Sequence, residues 1–190
     1  MVLKKNDRDV TQWVNDYSDA LYGFALQRIK DKDTAKDLLQ ETFLAAWRNV
    51  DNYNAEASVK TWLITILKNK IIDHYRKSSK RVKDELLEMN SSENIFFDSD
   101  DHWSKGYYPK DWNVDYDSPL ESKEFYKILK ACKSKLKTIQ DQVFTMKYMD
   151  DVESEEICKV LKLSASNYWV LIHRAKVQLR ACLEVNWFLS

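Results

Sequence analysis

The stretch Ser154-Glu-Glu-Ile-Cys-Lys-Val-Leu-Lys-Leu-Ser-Ala-Ser-Asn-Tyr-Trp-Val-Leu-Ile-His-Arg-Ala-Lys176 carries the reading of the fold in its punctuation. Glu155 and Glu156 open a short amphipathic run (Ile157, Val160, Leu161), where the positive end of a helix dipole favours acids. Lys162-Leu163 makes a tight turn, and Ser164 is placed as the N-cap of a longer helix running from Asn167 to Leu183. A short helix, a turn and a long helix with Arg174, Lys176 and Arg180 on one side form a helix-turn-helix pattern, whose second helix is suited to the major groove of DNA. Many helical hairpins share that pattern, so by itself it leaves DNA binding and plain packing evenly matched.

Working outward, apolar residues recur at helical spacing almost everywhere. Upstream lie a helix with Phe125, Ile128, Leu129, Cys132 and Leu136, and another with Ile139, Val143, Phe144 and Met146. Nearer the N-terminus, Val10, Trp13, Val14, Tyr17, Leu21 and Phe24 form one stripe, and Leu38, Leu39, Phe43, Ala46, Trp47 and Val50 a second. A third helix starts at Ser58 as N-cap, with Val59, Trp62, Leu63, Ile66, Leu67 and Ile71 on one side and a basic opposite face. Gly106, Pro109 and Pro119 cluster in the middle of a chain that has only two glycines and two prolines, which marks a boundary there.

Charge supports the same division. The net charge is zero, but residues 1–89 hold 16 Lys/Arg against 14 Asp/Glu, residues 120–190 hold 12 against 9, and residues 90–119 hold 2 against 7. The expected architecture is therefore all-α: a helical domain over 1–89, an acidic linker over 90–119 and a helix-turn-helix domain over 120–190. Fully extended, the linker spans about 100 Å, enough to separate two DNA contacts by two helical turns. Trp103, Tyr107, Tyr108, Trp112 and Tyr116 interleave with its acids, and such aromatics suggest partial ordering against a partner.

With 44% hydrophobic and 32% charged residues in 190, the chain reads as a soluble globular protein, and no run approaches the roughly 18 apolar residues of a membrane helix. Its first residues lack the apolar core of a signal peptide, so a cytoplasmic location without membrane insertion is expected. Cys132, Cys158 and Cys182 are odd in number and widely spaced, which argues against a disulfide framework or a zinc site. They read as small buried hydrophobes, with redox sensing by Cys182 as the minor alternative. No catalytic, cofactor or metal constellation is found: there is no Gly-rich phosphate loop or His-Glu-x-x-His pattern, and His74, His102 and His173 stand apart. Asp73 and His74 are adjacent, which on a helix points them about 100° apart.

Two separate segments resemble one family. Asp37-Leu-Leu-Gln-Glu-Thr-Phe-Leu-Ala-Ala-Trp-Arg48 resembles the polymerase-binding helix of the extracytoplasmic function (ECF) group of sigma-70 factors. The stretch from Ser164 to Lys176, with Leu179, Arg180 and Leu183, is similar to the recognition helix of that group. Between them, Trp62-Leu63 through Lys68-Asn69 and Ile72-Asp-His-Tyr-Arg76 resembles its strand-opening helix, and the order is the family's. The likeness covers roughly residues 10–80 and 120–185.

That resemblance implies a non-enzymatic initiation subunit. Its N-terminal domain would hold core RNA polymerase and open the minus-ten element of promoter DNA, its C-terminal domain would read the minus-thirty-five element, and an anti-sigma factor often covers both. It implies polymerase contacts from Asp37, Gln40, Glu41, Phe43 and Arg48. Asp37, Gln40 and Glu41 share a helix face by their spacing, an acidic surface suited to a basic clamp, although such faces are commonly just solvated. Basic groups, amides and rings can hold phosphates and unstacked bases. Asn54, Lys60, Lys68, Asn69, Asp73, Arg76 and Lys77 are thus minus-ten candidates, with rings offered by Trp62 and Tyr75, although Trp62 also lies on the apolar stripe. The loop Tyr53-Asn-Ala-Glu-Ala57 lacks the glycine-containing sequence usual there.

For the minus-thirty-five element the candidates are Ser166, Asn167, Trp169, Val170, His173, Arg174 and Lys176, which can meet phosphates, guanine edges or thymine methyls. Tyr168 and Leu171 or Ile172 are read as packing inward, and Lys162 replaces the usual turn glycine. The acidic linker is either a solvated tether or, by family analogy, a segment that threads the polymerase's basic channel. Two other classes compete. An autonomous helix-turn-helix repressor or activator would bind its operator without polymerase, and a purely protein-binding helical adaptor would show no DNA affinity.

Overall fold

A computed structural model describes residues 10–89 and 119–188, with side chains described for 11–78 and 124–187. The acidic linker, its aromatics and His102 lie outside the described residues. The chain divides into two compact units between Lys77 and Ser78. That division falls inside the third helix, upstream of the residue-89 limit read from the sequence. The described elements are all helical.

The first unit contains α1 (Val10–Leu26), α2 (Lys32–Arg48) and most of α3 (Val59–Met89), with a single 3-10 turn at Val50–Asn52. Asp31 caps α2 by accepting from the Thr34 amide at 2.7 Å, and the Thr34 hydroxyl and amide together hold the Asp31 carboxyl below the usual range. Ser58 caps α3 as expected, accepting from the Thr61 amide at 3.2 Å. Burying Trp13, Leu21, Ala25, Leu38, Ala46, Leu63, Leu67 and Ile71 joins the three helices, each side chain contributing roughly 1.5–3 kcal/mol for the larger residues. Tyr75 is also in this core. Its hydroxyl donates to the Arg28 carbonyl at 2.8 Å, tying α3 to the α1–α2 turn.

The second unit contains α4 (Pro119–Ser134), α5 (Thr138–Phe144) continued by a π turn at Thr145–Met149, α6 (Ser154–Leu161) and α7 (Ala165–Leu183) continued by a π turn at Glu184–Phe188. Pro119 opens α4 rather than closing the linker; a first-turn proline forfeits no helical hydrogen bond. Ile139, Val143, Met146, Ile157 and Leu161 are buried to 1% exposure or less and form the floor under α7, whose own Leu171 and Ala175 are equally buried. Ser164 caps α7 through the Asn167 amide at 3.2 Å.

Cys132 and Cys182 are joined as a disulfide, which overturns the reading of the cysteines as separate buried hydrophobes. The reason is tertiary. They are 50 residues apart in sequence, but packing α4 on α7 brings their Cα atoms to 5.7 Å.

Lys162 ends α6 in the left-handed conformation, φ 55° and ψ 43°. This is the position where the sequence lacked the usual glycine, and an L side chain is disfavoured there by about 1 kcal/mol. Because Lys162 is exposed, Lys162→Gly is expected to stabilise the second unit by about 0.5–1 kcal/mol in denaturant unfolding. A destabilised variant would show that the lysine side chain makes a compensating contact.

Candidate functional site

Three surfaces carry the residues singled out by sequence. On α2, the core-facing stripe is Ala35, Leu38, Thr42, Phe43 and Ala46. Thr42 can be buried because its hydroxyl donates to the Leu38 carbonyl at 2.7 Å. Phe43 is 9% exposed, so it supports the helix from within and is not available as a surface contact. The opposite face presents Asp37, Gln40, Glu41 and Arg48, all exposed. Leu44 and Trp47 stand among them at 52% and 65% exposure.

Trp47 therefore leaves the apolar stripe on which the sequence reading placed it. It sits one residue past buried Ala46, about 100° around the helix, which is enough to turn it outward. Leu44 was missed, though its spacing of three and four from Glu41, Gln40 and Arg48 was a usable signal. Glu41 also pairs with Lys70 of α3 at 3.2 Å.

On α3 and the loop before it, Asn54, Lys60, Asn69, Asp73, Arg76 and Lys77 are exposed and Lys68 is half-buried. Asp73 pairs with Arg76 at 2.6 Å, so one carboxylate and one guanidinium of this surface are already matched to each other. His74, next to Asp73 in sequence, is half-buried. Desolvation holds its imidazole below the ordinary value, the Lys77 ammonium adds to that and the Asp31 carboxylate opposes it. The two candidate rings behave differently. Tyr75 is 1% exposed and offers no ring to a base. Trp62 is half-buried, with its ring 5.9 Å from Trp13 and 4.9 Å from Tyr53, centre to centre.

In the adjoining loop, Ala55 has φ of 60°, a left-handed conformation in which glycine would be at ease. The loop keeps a glycine-like backbone without the glycine. The Tyr53 hydroxyl donates to the Ala57 carbonyl at 2.6 Å and closes the loop on itself.

On α7, Tyr168, Leu171 and Ile172 are buried. The Ser154 hydroxyl donates to the Tyr168 hydroxyl at 3.0 Å, clamping the start of α6 to α7. Ser166, Asn167, Trp169, Val170, His173 and Lys176 are exposed, and Arg174 is half-buried. Ser166, Trp169, Val170 and His173 follow a three- and four-residue spacing and so form one stripe, with Lys176 one turn further on. The Trp169 ring, 63% exposed, is braced edge-on by Tyr168 at 5.2 Å between centroids. Lys176 Nζ lies 5.0 Å from the centre of the Tyr148 ring. Arg180, expected on the basic side, is held by Glu184 at 3.0 Å.

These surfaces coincide with two recognised sequence regions. The family model for Sigma-70 region 2 matches residues 13–81, and that for Sigma-70, region 4 matches residues 126–179. A probable RNA polymerase sigma factor of Haemophilus influenzae is 37% identical over 161 residues, which cover 85% of this chain and 82% of the relative. The chain belongs to the ECF group of sigma-70 factors. The ECF sigma factor SigM of Bacillus subtilis is 28% identical over 167 residues, covering 87% of this chain and 89% of that one. The sigma factor RpoE of Bartonella quintana, solved with the anti-sigma factor NepR, aligns over 94% of this chain and 99% of that one with a TM-score of 0.44 and 22% identity.

In this ECF sigma factor the α2 and α3 surfaces lie within the region 2 match, and the exposed α7 stripe lies within the region 4 match. Both halves of the resemblance drawn from the sequence thus have a matching family model. Among the described residues, no helix is long and apolar enough to cross a membrane.

Proposed function

We propose that this sigma factor holds core RNA polymerase through the exposed face of α2, formed by Asp37, Gln40, Glu41 and Arg48 together with Leu44 and Trp47. The observation that carries the proposal is that two large apolar side chains stand exposed among carboxylates, in a helix whose core-facing stripe is complete without them. An apolar anchor ringed by charge is the composition of a protein-binding hot spot. Phe43 is left out of this face because it is buried.

The minus-ten element is taken by Asn54, Lys60, Lys68, Asn69, Asp73, Arg76 and Lys77, and the minus-thirty-five element by Ser166, Asn167, Trp169, Val170, His173, Arg174 and Lys176. Trp169 and Val170 suit thymine methyls, and the cationic groups suit phosphates or guanine edges. Residues 1–89 act as the polymerase and minus-ten domain, the acidic stretch up to residue 118 as a tether, and the chain from α4 onward, beginning at Pro119, as the minus-thirty-five domain. The protein works in the cytoplasm, performs no catalysis and needs no cofactor. An anti-sigma factor covers the apolar faces when transcription is off.

Run-off transcription with bacterial core polymerase and a panel of promoters tests this reading. Product from a subset of promoters, appearing only when the protein is added, is the expected result. Binding to an operator without polymerase, combined with no product on any template, would favour the autonomous helix-turn-helix reading instead.

A further inference from the structure

We propose that Cys182 and Cys132 form a reversible redox site in the C-terminal unit, with Cys182 as the thiol that meets small oxidants and Cys132 as the thiol that resolves it. The geometry of the pair is asymmetric. Cys132 is 2% exposed, inside a cluster with Leu136, Ala175, Leu179 and Leu183, whereas Cys182 is half-buried at the edge of that cluster. Of the two, Cys182 is the one open to a reagent from solvent.

Its surroundings favour the thiolate. Lys135 Nζ lies 3.8 Å from Cys182 Sγ, and Asn186 Nδ2 lies 3.6 Å from the same sulfur. In the reduced protein those groups face a thiol at that position, and a neighbouring ammonium lowers a thiol's pKa. The C-terminal end of α7 works the other way, but it amounts to about half a charge spread over its last turn, against a full charge at contact distance. The neighbouring Lys133 does not compete for the role, because it is matched to Asp141 at 2.7 Å. Cys158 is the contrasting case: burial and the Glu155 carboxylate push its thiol up, which keeps it protonated.

The chemistry balances with a peroxide as oxidant and a small thiol as reductant. The Cys182 thiolate attacks hydrogen peroxide, the O–O bond breaks, and a sulfenic acid and hydroxide result. The Cys132 sulfur then attacks the Cys182 sulfur, the S–O bond breaks, and the oxygen leaves as water with the proton from Cys132. In total, two thiols and one peroxide give one disulfide and two waters. In reverse, glutathione attacks the accessible Cys182 sulfur and releases Cys132 as thiolate, and a second glutathione frees Cys182 and leaves oxidised glutathione. A cysteine pair of this kind has a regulatory sense if the protein works in the reducing cytoplasm, a point that rests on the proposed function. The redox chemistry itself does not depend on polymerase binding.

The test uses the full chain, purified reduced and freed of reductant, then treated with peroxide and tagged with maleimide in denaturant. Three tags before treatment and one after, on Cys158, are expected, with peptide mapping locating the Cys132–Cys182 bridge and millimolar glutathione restoring all three. Cys132→Ser should trap a dimedone-reactive Cys182. Lys135→Met, at an exposed position that leaves the core intact, should slow oxidation severalfold at neutral pH, because the ammonium 3.8 Å from the sulfur is removed. Three tags surviving peroxide, or a bridge that glutathione leaves untouched, would overturn the proposal. An unchanged rate in Lys135→Met would overturn the assignment of Cys182 as the activated thiol. Run-off transcription can succeed or fail independently of each of these readouts.

Discussion

Charge reversal at both Asp37 and Glu41 is expected to remove co-elution of the protein with core RNA polymerase while leaving its fold intact. Both side chains are exposed on the face of α2 that carries Leu44 and Trp47, so neither substitution opens a cavity. The internal cost arises at Glu41, where Glu41→Lys would place an ammonium beside Lys70, now 3.2 Å from the carboxylate. That pair is partly solvated and its loss costs less than about 1 kcal/mol. Across a docked interface the balance differs. Removing one partner of a desolvated charge pair costs about 2–5 kcal/mol, so two reversals raise the dissociation constant by well over about a hundredfold. Size-exclusion chromatography with core polymerase checks the binding and thermal unfolding checks the fold. Unchanged co-elution would show that the acidic face of α2 is merely solvated.

What the sequence showed best were periodicity and punctuation. Ser58 and Ser164 were legible as caps because a hydroxyl ahead of an apolar-periodic run has few other uses, and both accept from the amide three residues on. The helix-turn-helix was legible for the same reason, down to the inward packing of Tyr168 and Ile172. Hydropathy failed where it had to choose between neighbouring large side chains. Phe43 and Trp47 are both apolar and four apart, yet Thr42 takes a core position by bonding back to its own helix, and the buried stripe turns away from Trp47. Tyr75 was offered as a surface ring because it lies among basic residues, but the Arg28 carbonyl gives its hydroxyl a buried partner. The disulfide and the Lys133–Asp141 pair could not be read at all. Each depends on α4 meeting a later helix, and no local pattern encodes that meeting.

The Lys133–Asp141 pair carries the largest stability effect. Lys133 Nζ lies 2.7 Å from Asp141 Oδ1 with the two side chains only 10% and 5% exposed, so the two charges meet where both are desolvated. Asp141→Ala removes this carboxylate from beside a desolvated ammonium, and breaking one side of such a pair costs about 3–5 kcal/mol. The loss falls on the second unit, because α5 also supplies Ile139 and Val143 to the floor beneath α7. The bridge between Cys132 and Cys182 spans 50 residues of sequence and contributes on the order of 4 kcal/mol by chain entropy, so the variant should be measured in the reduced state, where that contribution is absent. Denaturant unfolding should then show a loss of about 3–5 kcal/mol in the second unit, with weaker minus-thirty-five binding and unchanged attachment to polymerase through α2. Replacing both residues, as Lys133→Met with Asp141→Leu, removes the charges together and should recover most of the stability. If the double variant is as unstable as Asp141→Ala, shape rather than charge holds α4 to α5, and the pair is not the source of the effect.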